Sequence, residues 1–138
     1  MKRFLLILGC VGLLWAVKLE RSVCAQFVVV EDIQSAPLET EYPYTSLETA
    51  WPAKVRLQVN EPASVSASSP FPEGFADPRG TYYSSLLRYS DREVSQGESL
   101  NINRIGEAEV ELEMQVVRPT PYPANSYNYR VVLTITVQ

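Results

Sequence analysis

EAEVELEMQVVRPTPYPANSYNYRVVLTITVQ, Glu107 to Gln138, decides the fold class. In its first part Val110, Leu112, Met114 and Val116 alternate with Glu109, Glu111, Glu113 and Gln115. In its last part Tyr127, Tyr129, Val131, Leu133, Ile135 and Val137 alternate with Asn128, Arg130, Val132, Thr134 and Thr136. A period of two is the signature of a strand with one face buried. Glu, Ala, Leu and Met also suit a helix, but at helical spacing the apolar residues of Glu107–Val117 would not gather on one face. Pro119, Pro121 and Pro123 cannot donate to a ladder, so RPTPYPANS is a connection and the two segments are expected to form an antiparallel pair. The last strand is expected to close the domain's own core.

Upstream, AKVRLQVNE alternates in the same way, with Val55, Leu57 and Val59 against Lys54, Arg56 and Gln58. In QFVVVEDI, Phe27, Val29 and Ile33 are expected on one face and Val28 and Val30 on the other, while TYYSSLLRY and SLNINRI have strand composition. Turn residues crowd NEPAS, SSPFPEGFADPRG, DREVSQGES and RPTPYPANS. Ser68–Gly80 reads as a surface loop, and its DPRG as a turn. With no amphipathic helix to cross between parallel strands, the expectation is all-β: an immunoglobulin-like antiparallel β-sandwich of about six to seven strands, the count that this turn spacing suggests.

The first residues carry a different pattern. Lys2 and Arg3 precede an apolar run from Phe4 to Val17, too short to span a bilayer comfortably, and Val23-Cys24-Ala25 has the form a signal peptidase accepts. Residues 1–25 are therefore expected to be a signal peptide and 26–138 the β-sandwich domain, secreted, periplasmic or at the cell surface, with no membrane span in the mature form. An uncleaved anchor is the alternative. Cys10 and Cys24 both fall in the leader, so the mature domain would lack disulfides in a compartment that permits them. Four of the twelve basic residues and one of the sixteen acidic ones lie there too, which leaves a net charge of −7 and argues against nucleic acid as a partner.

The sequence contains no histidine. That removes the commonest general base and zinc ligand, and dense serine, as in EPASVSASSP, has no base beside it. No catalytic residue, metal ligand or cofactor-binding residue is assigned, and no enzyme activity is expected. The rank Glu107, Glu109, Glu111, Glu113 would place carboxylates about 6–7 Å apart on one strand face, expected to be a solvated face rather than a calcium or glycosidase site. Exposed aromatics are a second candidate: Trp51, Tyr82, Tyr83 and Tyr89, with Tyr42, Tyr44 and Tyr122 nearby in loops, would stack against sugar rings if the domain bound polysaccharide.

Tyr122–Gln138, YPANSYNYRVVLTITVQ, resembles the closing hairpin and strand of secreted pilin-like proteins, the spore coat protein U-type and related chaperone-usher subunits. The resemblance implies a structural or adhesive surface subunit assembling by strand exchange with itself or related subunits, with a periplasmic chaperone as a further partner. By that resemblance Phe27, Val29 and Ile33 would be the strand-exchange residues. The usual disulfide is missing, and the N-terminal extension is short enough to be the first strand of its own sandwich. A small secreted carbohydrate-binding module is the alternative function.

Overall fold

A computed structural model describes the backbone of Lys2–Gly9 and residues 28–137. Among these residues the chain is all-β, with two antiparallel sheets of five and seven strands. The first contains β1 (Lys2–Gly9), β12 (Asn128–Val137), β6 (Ala63–Ala67) and β10 (Ser99–Ile102) in that order, with β7 (Phe71–Glu73) also on β12. The second contains β2 (Val28–Gln34), β5 (Ala53–Val59) and β11 (Gly106–Val117), followed by β4 (Ser46–Thr49) and β3 (Leu38–Glu39). Its other side carries β8 (Tyr82–Tyr89), which pairs with β11, and β9 (Arg92–Ser95), which pairs with β8.

The expected class holds, and the strands exceed the expected six to seven because short segments pair at the margins. DREVSQGES is one: Arg92–Ser95 is not a turn but the second arm of a hairpin, with only Val94 packed against the core. Ser68–Gly80 is another, since Phe71–Glu73 pairs with Asn128–Arg130. Ser68, between β6 and β7, ties that connection to β12, accepting the Val132 N–H on its hydroxyl at 2.9 Å and donating its own N–H to the Val132 carbonyl at 2.9 Å.

Alternation predicts the core well. Ala53, Val55, Leu57 and Val59 are buried from β5, Ala108 to Val116 at every second residue from β11, and Tyr129, Val131, Leu133, Ile135 and Val137 from β12. The expected β11–β12 pair does not form, however. β11 lies between β5 and β8, and β12 between β1 and β6, in the opposite sheet. The proline-bearing connection carries the chain from one sheet to the other, so the two strands face each other across the core.

β2 departs from simple alternation. Val28 and Ile33 are buried and Val29 is exposed, because a bulge between Val30 and Asp32 inserts a residue and reverses which face follows. Phe27, Val29 and Ile33 therefore do not share a face as expected: Val29 and Ile33 point oppositely, and Phe27 lies outside the described residues. Gly97 closes the β9–β10 flank. Its φ of 81° suits a residue without Cβ, and its N–H reaches the Ala67 carbonyl at 2.9 Å. On that flank Arg92 donates to the Asn101 carbonyl. The strand order of each sheet puts β1 and β2 on the opposite flank.

Candidate functional site

The long C-terminal strand β12 is built from β-branched and aromatic residues and presents two backbone edges. One is covered by β6 and β7, with Leu133 to Val137 opposite Ala67 to Ala63 and Asn128 to Arg130 opposite Glu73 to Phe71. The other is covered by β1, which runs antiparallel with Lys2 opposite Val137, Phe4 opposite Ile135, Leu6 opposite Leu133, Leu8 opposite Val131 and Gly9 opposite Arg130. Directly opposite residues of an antiparallel pair share a face. Phe4, Leu6 and Leu8 thus take the register positions facing the buried residues of β12. β1 falls within the segment whose sequence reads as an export leader. A domain without it would leave this edge unpaired, an arrangement prone to capture another strand.

Of the three residues expected to donate a strand, Phe27 lies outside the described residues, and Val29 and Ile33 belong to β2. Ile33 is 8% exposed in the domain's own core, and β2 is hydrogen-bonded to β5 from Val28 opposite Val59 to Gln34 opposite Lys54.

The four expected stacking residues do not form one platform. Tyr83 points inward, and its hydroxyl donates to Asp77 Oδ2 at 2.6 Å. Tyr89 packs against the core under the Arg92 guanidinium, 5.8 Å from its ring centre. Trp51 and Tyr82 are exposed, but Trp51 occupies the β4–β5 corner on one side of β11 and Tyr82 sits on the other. Tyr42 and Tyr44 are exposed and meet edge to face at 5.9 Å.

The glutamate rank faces outward and is interleaved with cations. Arg56 contacts Glu107 at 3.2 Å and Glu31 at 3.5 Å, Lys54 contacts Glu109 at 3.8 Å, and Arg88 contacts Glu93, Glu111 and Glu113 at 2.7, 3.4 and 3.8 Å. Among the described residues no group of three or more carboxylates, histidines or cysteines is arranged to hold a metal ion. Ser84, Ser85 and Ser95 line an open groove of about 430 Å³ with Glu48 and Glu113. The Ser85 hydroxyl there donates to the Ser68 carbonyl at 2.8 Å, a structural bond rather than an activated nucleophile.

A further cluster went unnoticed in the sequence. Arg118 continues the even-numbered, inward phase of β11, and Asp77 of the DPRG turn meets it at 2.7 Å with only 1% of its side chain exposed. The same carboxylate oxygen accepts from the Tyr129 hydroxyl at 2.9 Å, and the Tyr122 and Tyr129 hydroxyls lie 2.8 Å apart. The guanidinium lies 3.8 Å over the Tyr122 ring. Burial works against the Arg118 charge, but the hydrogen bond and negative charge of Asp77 outweigh it and hold the pKa above its ordinary value. Burial raises the Tyr83 and Tyr129 pKa values, and hydrogen bonding and the Asp77 charge add to it. Tyr122 is raised chiefly by burial, against the opposing hydrogen bond with Tyr129 and, less strongly, the influence of Arg118. These partners come from β8, β12 and the segments after β7 and β11, so the cluster ties the two sheets together at one end. Its polar groups satisfy one another, and it presents no unpartnered group to a substrate. The signal for it was the inward phase of Arg118. Neither a protein-family model nor a curated protein matches the chain.

Proposed function

We propose that this protein is an exported structural or adhesive surface subunit whose sandwich is completed by a strand laid along β12. One observation carries the reading: the strand now on that edge, Lys2–Gly9, is drawn from the segment that reads as a leader. Export would strip β1 and leave one edge of Arg130–Val137 unpaired, next to a core containing Val131, Leu133 and Ile135. An incoming strand gains ladder hydrogen bonds along its length and apolar sites for alternate side chains. The acidic, ion-paired outer face of β5 and β11 disfavours indiscriminate stacking of sheets.

The carbohydrate-binding alternative has less support, because Tyr83 and Tyr89 are committed to the fold and Trp51 and Tyr82 lie on different sides of β11. The test is to extract surface material from cells exporting the full chain and compare it before and after boiling. A surface subunit held by strand addition runs in a high-mass complex that collapses on boiling. A chain found only as free monomer in the medium overturns the proposal.

A further inference from the structure

We infer that the strand completing β12 after leader removal comes from a different polypeptide, not from a second copy of this chain. The inference rests on the reading of β12 as an acceptor edge and on cleavage after Ala25. It reverses the self-exchange expected from Phe27, Val29 and Ile33.

The edge demands a particular pattern. Opposite the buried Ile135, Leu133 and Val131, β1 supplies Phe4, Leu6 and Leu8, three apolar residues at successive alternate positions. The mature chain has one segment near its expected start to offer, Gln26–Gln34, and neither of its phases matches. One phase reads Gln26, Val28, Val30, Asp32 and the other Phe27, Val29, Glu31, Ile33. Each contains only two successive apolar residues before a carboxylate. Laid along β12, either phase would set a polar or charged group against the core, and an unpaired charge there is strongly disfavoured.

In its own sheet this segment avoids the conflict through the bulge between Val30 and Asp32. The bulge lets Val28 and Ile33 both face inward while Glu31 remains outside and reaches Arg56. That solution suits pairing with β5. It would be lost on a regular edge, and donating β2 would also uncover Val55 and Val59. The other edge strands, β3, β7, β9 and β10, span two, three, four and four residues, short of the eight that β1 lays down, and β12 of a second copy is already held in its own sheet by β6 and β7. The partner is therefore an extended segment of another protein with at least three apolar residues alternating, running antiparallel to β12.

The experiment uses the full chain carrying a protease site between Gly9 and Val28, cut after folding. Two labelled peptides are then offered, KRFLLILG (Lys2–Gly9) and QFVVVEDIQ (Gln26–Gln34), while light scattering follows the mass. The expected result is a cut protein that stays monomeric, exchanges its bound strand for labelled KRFLLILG, and binds QFVVVEDIQ at least about tenfold more weakly, as a buried carboxylate requires. Glu31→Leu in the second peptide, which joins Phe27, Val29 and Ile33 into a run of four alternate apolar positions, recovers binding. Oligomers of the cut protein that disperse on adding KRFLLILG would keep the edge and overturn the inference. A cut protein that neither takes up a peptide nor forms oligomers would overturn the edge reading itself, and the inference with it.

Discussion

Arg118 and Asp77 form a buried ion pair at 2.7 Å, their side chains 7% and 1% exposed, forty-one positions apart in the chain. The pair fastens the loop after β7 to the end of β11, and through Tyr129 and Tyr83 it reaches both sheets. A mature domain without cysteine would have this polar tie where many small exported domains use a disulfide.

Removing one partner of the pair leaves the other charge buried. Arg118→Met or Asp77→Leu alone is expected to cost about 3–5 kcal/mol in urea unfolding, and the double variant distinctly less than the sum of the two. Additive losses below about 1 kcal/mol each would show the pair to be incidental.

Alkali should loosen the same end. The folded-state pKa values of Tyr83, Tyr122 and Tyr129 lie above the ordinary value of 10.0, so the folded protein keeps protons that the unfolded chain releases. Their contribution is complete below about pH 10 and is lost as pH rises toward the folded values. Stability measured from pH 7 to 11.5 is expected to fall on the alkaline side, and less steeply in Tyr83→Phe. An unchanged slope in that variant would remove Tyr83 from the explanation.

The glutamate rank should behave as surface. Glu109→Gln is expected to change stability by no more than about 0.5 kcal/mol, because an exposed ion pair contributes little. Millimolar calcium should not raise Tm, since Glu107, Glu109, Glu111 and Glu113 already face Arg56, Lys54 and Arg88. A calcium-dependent rise of several degrees would require a cation site.

Exposed and built-in aromatics separate cleanly. Trp51→Ala and Tyr82→Ala are expected to leave stability within about 0.5 kcal/mol of the parent, whereas Tyr83→Ala removes a bond to Asp77 and lowers it by several times as much. Any polysaccharide assay should therefore use Trp51 and Tyr82, because loss in Tyr83→Ala would report unfolding.

Much of the fold was legible because alternation in β5, β11 and β12 records which side chains meet the core. Pairing was less legible. β11 and β12 are neighbours in sequence and equally amphipathic, and nothing in a period of two tells a hairpin partner from a strand across the core. β9 and β7 were hidden by composition, since a polar edge hairpin and a proline-bearing strand look like loops. The β2 bulge inverted the expected face of Val29 because an inserted residue shifts phase without any special sequence mark. Asp77 was masked by its turn-like DPRG setting, although the inward phase of Arg118 pointed to a buried cation in need of a partner. The β1–β12 pairing was obscured because an apolar leader segment and a buried strand draw on the same residues.

Amide hydrogen exchange along Arg130–Val137, measured in the full chain and again after proteolytic removal of residues 1–25, tests the acceptor edge most directly. The account predicts slow exchange throughout in the intact chain and, after removal, fast exchange confined to the amides that bonded β1, with protection restored by the KRFLLILG peptide. Exchange along β12 that is equally slow with and without residues 1–25, and indifferent to the peptide, would contradict it.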